Sequence, residues 1–191
     1  MSAELVKAGM VAVQLSRTIA VSVHGDPTTK GSMKCVGRRG KRLHVLVEEL
    51  GPAVKRWRRI VAPAGDKLRE LAGGVITGPV GVELIFTLER PESVPLWKRP
   101  WPAVRCGDVD KLARCVLDTL TVTRKAPNQV LADDSIVCEL LTRKQYPDTP
   151  DVAYRLGRPG VVIRLYPLTD PLKAYELPYE RVLDQDERTG N

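Results

Sequence analysis

Between Val109 and Leu120 the apolar side chains recur at helical spacing: Val109, Leu112, Ala113, Val116, Leu117 and Leu120 make one stripe. Lys111, Arg114 and Asp118 fall off that stripe, so the segment reads as a helix with one buried face and one wet face. Such a helix is stable only against a partner layer, and the flanking sequence supplies candidate strands. VGVELIFTLER, 80–90, places Val80, Val82, Leu84, Phe86 and Leu88 on one face. TIAVSVH (18–24), 135–146 and 161–166 also read as strands. MKCVGRRGKRLHVLVEE reads as a hairpin with a basic Gly-Arg-Arg-Gly tip.

A second helix is expected from Gly51-Pro52, since Pro is tolerated in the first turn, where its missing N–H has no helical partner. Val54, Trp57, Ile60 and Val61 share its apolar side, and Pro63 is expected to interrupt or kink it before Gly73-Gly74 ends it. The expected fold class is α+β: a single domain in which helices flank a mixed β-sheet. Residues 1–16 read as a weakly specified N-terminal extension with a helical turn or two, 17–168 as the folded domain, and 169–191 as a polar, mobile tail.

Hydrophobic residues make up 43% of the 191 and charged ones 28%, the balance of a water-soluble globular protein. No apolar run is long enough to cross a bilayer, and the N-terminus does not read as a signal peptide, so a cytoplasmic location and no membrane partner are expected. The four cysteines are scattered without a CxxC pair and there are two histidines. That argues against a structural zinc site and against a His-dependent nucleophile. Thirty Lys and Arg against 23 Asp and Glu give a net charge of +7, concentrated in GRRGKR (37–42) and KRWRR (55–59). A polyanion is the natural partner, nucleic acid first and an acidic membrane surface second, with plain solvated surface charge as the alternative.

Against that charge, four aspartates flank the strongest helix: Asp108 and Asp110 at its start, Asp133 and Asp134 ahead of the next strand. Singly, each has a structural explanation as a helix cap, a first-turn charge or a turn residue. Together they suggest two acid pairs converging on one spot, where neighbouring carboxylates need a cation between them. An all-oxygen set suits Mg²⁺, or Mn²⁺, which also takes water and a phosphate oxygen. A metal so held activates a water for attack on a phosphodiester.

The segments GDVDKLARCVLDTLT, LADDSIVCELLTRKQYP and PGVVIRLYP together resemble the RusA family of Holliday-junction resolvases, and GDPTTKGS is similar to the basic loop of its phage-type members. The resemblance implies a homodimeric, Mg²⁺-dependent endonuclease that resolves four-way DNA junctions in recombination and repair. It implies Asp108, Asp110 and Asp134 as catalytic metal ligands, with Asp133 beside them. Arg114 stands at the place of a functional lysine and Lys111 where many members have Asn. An arginine there neutralises phosphate rather than carrying protons, since it stays charged. Lys144 matches a basic position on the strand leading away from the site. Lys30, Lys34, Arg38, Arg39, Lys41 and Arg42 are candidate phosphate contacts. Trp97 and Trp101 either wedge between bases or cover a core edge. The competing expectation is a non-catalytic nucleic-acid-binding module whose aspartates only cap a helix; a phosphatase using Asp108 as nucleophile ranks behind both.

Overall fold

A computed structural model describes residues 11–29, 33–35, 46–48, 51–95, 97, 101–102, 107–149, 154 and 156–168. The elements in chain order are β1 (Ala12–Val13), β2 (Ile19–His24), β3 (Met33–Cys35), β4 (Leu46–Glu48), α1 (Pro52–Ala72), β5 (Val75–Ile76), β6 (Val80–Thr87), α2 (Val109–Leu120), β7 (Val137–Gln145) and β8 (Gly160–Pro167). A single 3₁₀ turn, Asp134–Ile136, leads into β7. The fold is α+β with a mixed sheet, as the sequence led us to expect.

The main sheet runs β2-β8-β6-β7. β8 is antiparallel to both neighbours, whereas β6 and β7 are parallel. Parallel neighbours cannot be joined by a tight turn, and here α2 makes the crossover. The apolar face of β6 (Val80, Val82, Leu84, Phe86) meets both helices in one cluster. α1 contributes Val54, Trp57, Val61, Ala64 and Leu68; α2 contributes Leu112, Ala113, Cys115, Val116 and Leu120. An Arg58–Asp118 pair at 2.8 Å ties the helices where their faces part.

Two details depart from the sequence expectations. α1 runs unbroken from Pro52 to Ala72, through Pro63. Pro63 is exposed, so the carbonyl one turn back that loses its N–H partner has water within reach, while Val61, Ala64 and Leu68 hold the helix from the other side. The end of the expected N-terminal extension is a strand rather than a helical turn: Ala12–Val13 pairs in parallel with Val75–Ile76. The hairpin forms as β3 against β4, and its tip at 36–45 lies outside the described residues, as does the 169–191 tail.

β6 is buried on both faces. On the face away from the helices, the Glu83 carboxylate lies between two guanidinium groups, Arg143 at 2.8 Å and Arg164, so a buried charge is paired twice over. Gly81 faces its ladder partner Tyr166 there, and a Cβ on Gly81 would run into the tyrosine ring. Burial, and then the nearby Glu139 carboxylate, pushes the Tyr166 hydroxyl up to about 12. Gly81→Ala is therefore expected to cost about 1–3 kcal/mol by overpacking, read as a lower urea midpoint with an unchanged slope.

Candidate active site

The chain enters α2 through Gly107, whose φ of 73° lies in the left-handed region that favours glycine. A side chain at this position would also meet the methyl group of Thr29. The loop at 25–29 thus abuts the entry to the helix, and Lys30, the next residue, lies outside the described residues. From β7, the Lys144 ammonium donates to the Gly107 carbonyl at 2.9 Å. The head of α2 is thereby fixed from two sides.

Asp108 occupies the N-cap position with extended backbone, yet its side chain makes no capping hydrogen bond. Its carboxylate instead takes the Lys111 ammonium at 2.6 Å. That bond, with the charge of Lys111 and then of Lys144, holds the Asp108 carboxyl below its usual range, and Lys111 is raised in return. Asp110, in the first turn, adds to the field on Lys111. Arg114, one turn further along, is exposed. The Lys111 ammonium thus rests on one of two exposed carboxylates at a helix start.

The second acid pair divides. Asp133 does the capping: it accepts the Ser135 N–H at 2.9 Å, and Ser135's hydroxyl and N–H lower its carboxyl. Asp134, exposed at the start of the 3₁₀ turn, is the member of the pair that does not cap.

The expected convergence of the two pairs does not occur within one chain. α2 runs against the direction of β7: its first residues lie at the Lys144 end, while Thr121, just past its last, bridges to Leu131. Twelve helical residues span about 18 Å, and β7 from Val137 to Lys144 about 23 Å. Asp108 and Asp110 therefore stand at one end of these elements and Asp134 beyond the other. Among the described residues no three acid, His or Cys side chains gather to hold a metal. Arg38 and Arg39 lie outside the described residues, so of the expected nucleic-acid-binding residues only Lys144 has a described side chain, beside the first acid pair. Its role as an anchor for the Gly107 carbonyl was not foreseeable from spacing.

The profile of endodeoxyribonuclease RusA matches residues 25–156, more than half of the chain. The chain belongs to the RusA endodeoxyribonuclease family. The matched span runs from the loop beside Gly107, through both helices, to the far end of β7, so it contains both acid pairs. As a RusA-family endodeoxyribonuclease, the protein is a nuclease that acts on DNA. No curated protein matches it. Among the described residues no helix is long and apolar enough to cross a membrane.

Proposed function

We propose that the protein is a homodimeric, Mg²⁺-dependent nuclease that resolves four-way DNA junctions by paired phosphodiester hydrolysis. In this reading Asp108 and Asp110 of one copy and Asp134 of the other hold each metal. The observation that carries the proposal is the state of Asp108: it sits at a helix start without capping it, its carboxylate turned to a cation. A helix-capping role, the basis of the binding-module alternative, does not describe that geometry.

The donor set fits the ion. Two exposed carboxylates with room for water are what Mg²⁺ takes, and Mn²⁺ accepts the same oxygens. Once bound, such an ion offsets phosphate charge and lowers the pKa of an attacking water. The chain's own residues do the rest. Lys111 would give up Asp108 to the ion, and Lys144 holds the Gly107 carbonyl and so the direction of the first turn. Arg114 supplies a fixed positive charge to a phosphate. Lys30, Arg38 and Arg39 are proposed to grip the strand on either side.

Support for a second copy comes from β7. Among the described residues it is the edge strand of its sheet, and Leu140 and Leu141, on opposite faces, are 44% and 51% exposed. An apolar, unpaired edge is an invitation to strand pairing. A two-fold axis beside β7 reverses the strand in the other copy, which carries that copy's Asp134 toward the Asp108 end of the first. Two sites related by the axis then face two strands of a junction, whose arms share the same symmetry.

The test is a cleavage assay on four-way, forked and linear DNA, with Mg²⁺, with Mn²⁺ and with EDTA. Cutting of the four-way junction only with a divalent metal, at symmetric positions on two strands, is the expected result. Tight binding without cutting under every condition would give the answer to the binding-module alternative.

A further inference from the structure

Of the two basic clusters in the sequence, KRWRR (55–59) has no part in the acid site. It lies in α1, every residue of which is described. Trp57 turns into the core, and Arg58 pairs with Asp118 at 2.8 Å. Lys55, Arg56 and Arg59 are exposed, as is Lys67 two turns further on. At about 100° per residue these four share an arc of about 120°, opposite the buried Val54, Val61 and Leu68. Among the described residues no carboxylate pairs with any of them.

Helix stability gives no reason for this pattern. Lys55 and Arg59 repel across one turn, as do Arg56 and Arg59, and α1 has no acid in its first turn to offset them. Lys55 closes that turn, where the helix dipole disfavours a cation. An uncompensated row of cations that works against its own helix points to a partner bringing negative charge. The row also lies near the acid site. Ile60, one turn from Arg56, packs over Gly25, where a Cβ would sit 3.1 Å from its side chain. At the other end of the same loop Thr29 is against Gly107. Residues 25–29 reach at most about 14 Å. Arg56 and Arg59 are therefore within about one turn of duplex, roughly 34 Å, of Asp108.

We propose that the outward face of α1 holds the sugar–phosphate backbone of a duplex arm as that arm leaves the acid site. From Lys55 to Lys67 the helix rises about 18 Å, the length over which one DNA strand presents about five phosphates. A row of cations on such a row of phosphates positions a duplex without reading its sequence. A membrane surface fits this face less well. The apolar side of α1 is buried in the core, so no amphipathic face is left to enter a bilayer. The place of the arm rests on the nuclease reading of the acid site, whereas the grip itself is measured apart from cutting.

Binding to a four-way junction is measured in EDTA, where no cutting intervenes, over a range of salt. The triple variant Lys55→Gln, Arg56→Gln, Arg59→Gln keeps good helix formers and is expected to hold or raise the urea midpoint. It should weaken binding at least about tenfold at low salt and flatten the slope of log affinity against log salt by about 2–3. Arg59→Gln alone should flatten it by about 0.9. A control of equal charge, Arg124→Gln with Lys125→Gln and Arg158→Gln, alters exposed cations elsewhere and should change the slope by less than about 1. Equal losses in the two triple variants, or an unchanged slope in the α1 variant, overturn the proposal. So does a loss confined to the binding of anionic phospholipid vesicles, which would assign the face to a membrane. If the wild type cuts no DNA with Mg²⁺ while the α1 variant still loses slope, the acid-site reading falls and the grip on DNA stands.

Discussion

Asp110→Asn is expected to bind a four-way junction as the wild type does and to cut it at least about 100-fold more slowly. Losing one anionic ligand forfeits several kcal/mol of charge stabilisation in the transition state, and each 1.4 kcal/mol is about tenfold in rate. The fold has little reason to respond. Asp110 is exposed in the first turn of α2, and its loss removes a favourable helix-dipole charge worth about 0.3–1 kcal/mol. Binding is governed by the basic surface, which the change leaves in place. Single-turnover cleavage at saturating protein, beside a gel-shift titration, separates the two effects. Cleavage at the wild-type rate would remove Asp110 from the proposed metal site.

The second large effect concerns a mixture. Asp110→Asn and Asp134→Asn chains are each expected to be inactive alone, yet a dimer containing one of each should nick the junction. In that dimer one site takes Asp108 and Asp110 from the Asp134→Asn chain and Asp134 from the Asp110→Asn chain, so it is intact. The other site carries both lesions. The product is therefore a junction cut in one strand, not two resolved duplexes. If each site were built from a single chain, every site in the mixed dimer would be damaged and nothing would be cut. Co-expression with two affinity tags, sequential purification and strand-resolved gels supply the measurement.

That experiment turns on the separation of the two acid pairs within one chain, which the sequence alone did not show. Periodicity made the α2 stripe plain, and Leu112, Ala113, Val116 and Leu120 are buried where it placed them. It also placed Val80, Val82, Leu84 and Phe86 on the core face of β6, since alternation in a strand leaves few choices. What periodicity lacks is direction between elements. Asp108 and Asp133 flank a twelve-residue helix, and that helix's own length already separates them unless the chain doubles back along it. It does not: Leu131 pairs with Thr121, at the far end. Pro63 does not interrupt α1 for a related reason, because its local penalty is outweighed by tertiary contacts. The Lys111–Asp108 pair, three residues apart on a helix, was open to reading from spacing alone. The Lys144–Gly107 contact spans 37 residues and was not.

Gly107 has a mechanical meaning beyond its backbone angle. With Thr29 filling the space a Cβ would need on one side and Lys144 tethering its carbonyl on the other, it is built as a locked joint rather than a hinge. The aim of the two carboxylates is then inherited from the rigid strand ladder, and a tug on the 25–29 loop is passed straight to them. On the proposed reading, a strand of DNA held by that loop would be in register with Asp108 and Asp110 before any metal arrives.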